Sequence, residues 1–172
     1  MRDFINHAVF GWYPYLCLTV FLVGSLLRFD REQYTWKTGS SQLLRRRQLM
    51  WGSNLFHVGI LFLLMGHTVG LLTPEFFYTK VMTAQQKQML AIIAGGIAGT
   101  VCFVGLTMLL HRRLVDPRIR QTSTYMDLAI LIILWVQLSL GLITLPYSLS
   151  HETPVVMQTL AHWAQGILTV QP

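Results

Sequence analysis

Charged residues interrupt this chain only at intervals, and between them lie four long apolar windows. Residues 4–27 (24 residues), 48–74 (27), 88–111 (24) and 128–151 (24) contain no Asp, Glu, Lys or Arg. Each exceeds the roughly 20 residues that an α-helix needs to cross a bilayer. The pattern predicts four spanning helices, over residues 9–27, 49–72, 88–110 and 125–145. The first opens on Gly11-Trp12-Tyr13-Pro14-Tyr15, whose aromatics suit an interfacial belt and whose proline is tolerated in a first helical turn. It lacks a small-x-small cleavage site and ends in Leu26-Leu27-Arg28, so it reads as an uncleaved span. The second is stopped at Leu72-Thr73-Pro74, and the fourth is expected to end at Pro146.

Beyond Pro154 the pattern changes. Val156, Leu160, Trp163, Ala164 and Ile167 form a stripe at helical spacing against Gln158, Thr159, His162 and Gln165. Residues 155–169 therefore read as an amphipathic helix at the outer surface rather than a fifth span. The expected fold is all-α: one membrane domain over residues 1–172, a four-helix transmembrane bundle with a carboxy-terminal amphipathic surface segment.

Composition strengthens this picture. The chain is 53% hydrophobic and 12% charged, too apolar for an ordinary soluble domain. Its net charge of +6 does not call for nucleic acid, because the placement of the charge explains it. Arg28, Arg31, Lys37, Arg45, Arg46 and Arg47 fall in the first loop, and Arg112, Arg113, Arg118 and Arg120 in the third. Only Arg2, Lys80 and Lys87 fall on the other side. Basic loops face the cytoplasm, so the amino terminus is expected outside. The first loop carries Tyr34, Trp36 and a turn at Thr38-Gly39-Ser40-Ser41, and it is long enough to suggest a protein contact. Cys17 and Cys102 have neither metal-ligand spacing nor a disulfide pattern, and read as small apolar fillers.

The candidate chemistry lies in the second window. His57 and His67 are ten residues apart, about 15 Å along a helix axis and within a quarter turn of each other. An ionisable side chain inside a span is costly and functional by default. Two neutral imidazoles at two depths suit two haem irons; a proton path or interhelical hydrogen bonds are the other readings. A haem-ligating imidazole uses one nitrogen for iron and needs an acceptor for the other. Gly59 and Gly66 beside these histidines would let a macrocycle approach the backbone. Gly95 and Gly99, four apart, permit close helix approach or make room for a macrocycle. Asn54 is expected to make an interhelical hydrogen bond. Lys87 opens the third helix on the same side as His67, either snorkelling to the interface or donating to a quinone oxygen. His7, His111, His151 and His162 read as solvated or interfacial.

A family resemblance runs through the whole chain. It is carried by Gly24-Ser25-Leu26-Leu27-Arg28, Gln33-Tyr34-Thr35-Trp36, Ser53-Asn54-Leu55-Phe56-His57, Gly66-His67, Ala94-Gly95-Gly96, Arg112-Arg113-Leu114 and Trp163-Ala164-Gln165. In these the sequence is similar to the gamma, cytochrome b-type subunit of membrane-bound respiratory nitrate reductase. The resemblance implies five spanning helices in the bacterial cytoplasmic membrane and two b-type haems. His57 would ligate the haem nearer the cytoplasm and His67 the outer one. Quinol would be oxidised beside the outer haem, with Lys87 and Gly66 lining that site. Electrons would reach iron–sulfur centres in a beta subunit and molybdenum in an alpha subunit, where nitrate is reduced.

One departure stands out. The family's fifth helix supplies the second axial histidine to each haem, and this sequence ends at Pro172 before it. The chain is expected to be a fragment or a truncated gene product, with one protein ligand per iron. The rival reading is a haem-free membrane anchor for a soluble redox complex. A proton or solute carrier fits less well, because the windows hold no acidic residue to pair with the histidines.

Overall fold

The computed structural model describes residues 2–32, 34, 41, 43–150 and 155–170, and all regular structure among them is helical. The turn expected at Thr38-Gly39-Ser40, together with Trp36, Lys37 and His151, lies outside the described residues. In chain order the helices are α1 (Arg2–Asn6), a π-helical segment (His7–Trp12), α2 (Tyr13–Arg31), α3 (Arg46–Leu72), α4 (Glu75–Tyr78), α5 (Ala84–Val115), α6 (Pro117–Thr122), α7 (Tyr125–Ser150) and α8 (Val155–Leu168). Four stretches are long and apolar enough to cross a membrane: Asp3–Arg31, Arg46–Leu72, Ala84–Val115 and Tyr125–Ser150. The chain is an all-α membrane protein.

The chain divides into two compact units, residues 1–37 with 159–172, and residues 38–158. In the first unit, the π-helical segment meets α8. The Trp163 indole N–H donates to the Phe10 carbonyl at 2.8 Å, and the two rings meet edge to face with centroids 6.2 Å apart. Ile167 of the expected stripe is buried here, as is Ala161, while Leu160 of the stripe is exposed.

In the second unit α5 is the central helix, packed along α3 on one side and against α7 on another. Lipid offers helices no hydrophobic incentive to associate, so close backbone approach through small residues must supply the attraction. The α3–α5 seam shows this. A Cβ on Gly59 would lie 2.6 Å from both the backbone nitrogen and Cβ of Cys102, and one on Gly105 would press into the Phe56 amide and the Gly52 carbonyl. Against α7, a Cβ on Gly99 would sit 2.9 Å from Leu142, and the Trp135 indole donates to the Thr107 hydroxyl at 3.0 Å. A Cβ on Gly95 would have no neighbour within 4 Å, so only Gly99 of the expected pair makes a close contact.

Several boundaries differ from the sequence pattern: α2 runs on to Arg31 rather than 27, α3 starts at Arg46 rather than 49, and α5 ends at Val115 rather than 110. α5 starts at Ala84 rather than 88 because Thr83 and Gln86 form a capping box, with Gln86 N–H to Thr83 Oγ1 at 3.2 Å and Thr83 N–H to Gln86 Oε1 at 2.9 Å. α7 runs through Pro146 to Ser150. A proline this near a helix end forfeits one backbone bond, and neighbouring polar side chains re-satisfy the last turn: Gln88 Nε2 donates to the Ser148 carbonyl at 3.3 Å. The third loop contains a short helix, α6, started by Asp116, whose carboxylate accepts from the Arg118 amide at 3.0 Å.

Candidate functional site

Both candidate histidines lie on α3, whose 27 residues carry no charge after Arg47. The His57 Nδ1–H donates to the Ser53 carbonyl at 2.7 Å, with the Ser53 hydroxyl 3.2 Å away. His67 Nδ1–H donates to the Leu63 carbonyl at 2.8 Å. A carbonyl oxygen only accepts, so the neutral form of each ring has its proton on Nδ1 and its lone pair on Nε2. That is the tautomer a metal-binding imidazole needs, and the helix backbone alone sets it. The Phe56 ring stands edge-on to His57 with centroids 5.3 Å apart.

Both imidazoles are exposed on this chain. Gly52, Gly59 and Gly66 recur every seven residues and so share one stripe, the one turned to α5. His57 lies about 160° around the helix from Gly59, and His67 about 80°, both clear of the seam. Gly59 thus serves helix packing, correcting the expectation that it opens the backbone to a macrocycle. Gly66 fits that expectation better: nothing lies within 4 Å of where its Cβ would be. The antiparallel register that sets Gly59 against Cys102 and Phe56 against Gly105 continues to set Gly66 level with Gly95, which is equally open.

Beyond this open level comes Lys87, in the first turn of α5 and about 10 Å past His67 along the helix axis, toward the Pro74 end of α3. Its Nζ lies over the Tyr78 ring of α4, 3.9 Å from the centroid, and both side chains are half-buried. Nothing in the spacing of Tyr78 and Lys87 along the sequence announces this contact. The capping box that starts α5, legible as Thr83-Ala84-Gln85-Gln86, is the available signal for where Lys87 sits in its helix.

At the opposite end of the seam, Arg112 is only 2% exposed. It donates to the carbonyls of Ser41 and Leu44, at 2.5 and 2.7 Å, and to the Ser41 hydroxyl at 3.2 Å. Arg45 takes a left-handed backbone (φ 44°) and pairs with Asp116 at 3.0 Å. Gln48 Nε2 donates to the Met108 carbonyl at 3.1 Å and lies 3.2 Å from His111 Nδ1. Ser41, Leu44 and Arg45, just before α3, are therefore clamped to the end of α5. Asn54, expected to bridge helices, is exposed instead; Gln48, Gln88 and Trp135 make such bonds.

Among the described residues no three His, Cys, Asp or Glu side chains converge as a metal-binding group. α7 has no histidine and α5 only His111, at its end. What α3 offers is two separate imidazoles at two heights along the helix; a single imidazole could ligate only a metal whose other ligands come mainly from elsewhere, as in a macrocycle. Cys102 is fully buried in the seam, and Cys17 is exposed; neither is disulfide-bonded.

The chain is similar to known proteins along nearly its whole length. The family described as nitrate reductase gamma subunit matches residues 6–172. The respiratory nitrate reductase 1 gamma chain of Escherichia coli strain K12 is 45% identical over 167 residues, covering 97% of this chain and 74% of that one. The respiratory nitrate reductase 2 gamma chain of the same organism is 44% identical over 169 residues, 98% of this chain and 75% of that one. The nitrate reductase gamma chain of Bacillus subtilis strain 168 is 33% identical over 168 residues, 97% and 75%.

Proposed function

The chain belongs to the nitrate reductase gamma subunit family, and on that premise we propose that it is the quinol-oxidising cytochrome b subunit of a respiratory nitrate reductase. The observation that carries the reading is the pair of imidazoles on α3. Each is locked by a main-chain carbonyl in the tautomer that frees Nε2, and each is uncovered within an apolar span. An uncovered imidazole facing lipid is costly, so that face calls for an occupant that takes a nitrogen lone pair.

The residues fit haem. His57 would be an axial ligand to the inner haem and His67 to the outer one, and the open level at Gly66 leaves the backbone accessible beside His67. Bound haem supplies a one-electron carrier at each depth. The chain's own part is to hold the two rings at fixed depths about 15 Å apart and to bind quinol at the outer end. Oxidation of a quinol to a quinone releases two electrons and two protons. Lys87 donates a hydrogen bond to a ring oxygen there, and Gly66 leaves space for the ring. The protons leave toward the outer side, on the reading that the ten basic residues of the first and third loops face the cytoplasm.

The inner end then faces the soluble subunits. The clamp of Arg112 on Ser41 and Leu44 holds the start of α3 and the residues just before it as a fixed surface for a beta subunit carrying iron–sulfur centres and an alpha subunit carrying molybdenum.

The test is a reduced-minus-oxidised visible spectrum of membranes containing the assembled complex, with haem quantified per gamma chain. Two b-type haems per chain and quinol-dependent nitrate reduction are expected. An assembled complex without b-type haem would overturn the reading and leave a membrane anchor.

A further inference from the structure

Lys87 occupies an electrostatically poor position. The first turn of a helix carries the positive end of the macrodipole, where acidic side chains are favoured and a lysine is not. Nor does it sit out in water as a snorkelling lysine would, since it is half-buried. Its ammonium rests on the face of Tyr78, 3.9 Å from the ring centroid. Glu75, at the start of α4, adds attraction. We propose that Tyr78 is a positioning residue, whose ring holds the Lys87 ammonium aimed at a quinol oxygen on the outer side of His67. This rests on the quinol reading above.

The chemistry favours a ring over a carboxylate for this task. A carboxylate partner would take up N–H donors as hydrogen bonds. A π face attracts the charge through its quadrupole, leaving the N–H groups that point away from the ring for an incoming acceptor. Placement on α4 matters too. This helix follows the Pro74 stop of α3, and the Tyr78 carbonyl accepts from the amides of Val81 and Met82, both at 2.9 Å. The ring is thus held on a tight outer turn immediately before the Thr83 cap of α5. An internal comparison is available: Lys80 also lies 3.9 Å over a ring, that of Phe76, but both of those side chains are exposed.

The experiment uses the assembled complex in membranes, with reduced decyl-plastoquinone as donor and KM and kcat resolved. Tyr78→Leu should raise KM about fivefold with haem content unchanged and kcat within about twofold. Tyr78→Phe, which keeps the face, should restore KM, and Phe76→Leu should leave it alone. Tyr78→Leu combined with Lys87→Leu should have the KM of Lys87→Leu alone, because Tyr78 acts only through Lys87. If Tyr78→Leu lowers assembly, pentafluorophenylalanine at position 78 keeps the shape and reverses the quadrupole, and should raise KM equally. A wild-type KM in either variant, while Lys87→Leu raises it, overturns the role of Tyr78 and leaves the quinol site standing. A wild-type KM in Lys87→Leu itself overturns the quinol assignment of Lys87, and this inference with it.

Discussion

Gly59 and Cys102 meet backbone to backbone, with the space for a Cβ on Gly59 already within 2.6 Å of the Cys102 nitrogen. Ordinary contact for a Cβ begins at 3.4 Å, so even alanine at 59 forces α3 and α5 apart. Gly59→Ala should destabilise the helix pair by about 1–3 kcal/mol, measured by denaturant titration in detergent micelles. Gly66, one heptad on, is the contrast. Gly66→Ala meets nothing within 4 Å and should change stability by less than about 0.5 kcal/mol. Its effect should show in the KM for quinol instead. Equal stability losses in the two variants would contradict the seam described above.

The histidines separate by depth, and so should their variants. His57→Leu should remove one b-type haem per chain and leave the other reducible by quinol. His67→Leu should remove the other haem and abolish quinol-dependent reduction. Haem quantification and redox titration of membranes check both, and retention of two haems in either variant would remove that histidine from the ligand set.

The proton on each imidazole is held by a main-chain carbonyl, so side-chain changes at the acceptor residues should matter little. Ser53→Ala deletes the hydroxyl 3.2 Å from His57 Nδ1 and keeps the carbonyl at 2.7 Å. Haem content should stay at the wild-type level in Ser53→Ala and in Leu63→Ala. Loss of haem from Ser53→Ala would show that the hydroxyl, not the carbonyl, orients the ring.

Arg112 serves two carbonyls and a hydroxyl from a buried position. Arg112→Ala would leave the Ser41 and Leu44 carbonyls without their charged donor, at a cost of about 2–4 kcal/mol locally. The expected result is release of nitrate reductase activity from washed membranes into the soluble fraction, with the haem spectrum retained. Arg112→Lys should rescue poorly, since one ammonium cannot reproduce the planar fork. Full membrane retention of activity in Arg112→Ala would show that the clamped loop does not hold the soluble subunits.

The spans and the two histidines are legible because charge avoidance and a ten-residue spacing are properties of one segment read alone. The roles of the glycines are not. Gly59 reads as room for a cofactor and proves to be a contact with Cys102, while Gly95, which reads as either a close contact or open room, proves open. Which neighbour a glycine meets depends on the register between two helices, and neither helix's sequence states it. Arg112 illustrates the same limit. Its charge marks a loop, but its burial follows from where Ser41 and Leu44 fold back. Pro146 reads as a stop, yet it lies inside α7, where Gln88 supports the last turn from another helix.

The hydrogen bonds from His57 and His67 to the carbonyls four residues earlier have an implication for protein engineering. Every interior turn of an α-helix presents such a carbonyl, so the orienting group travels with the helix rather than with any particular neighbour. An imidazole of this kind is portable: removed from one position of α3 and installed at another on the same face, it carries its own alignment, so its depth becomes adjustable by a pair of substitutions.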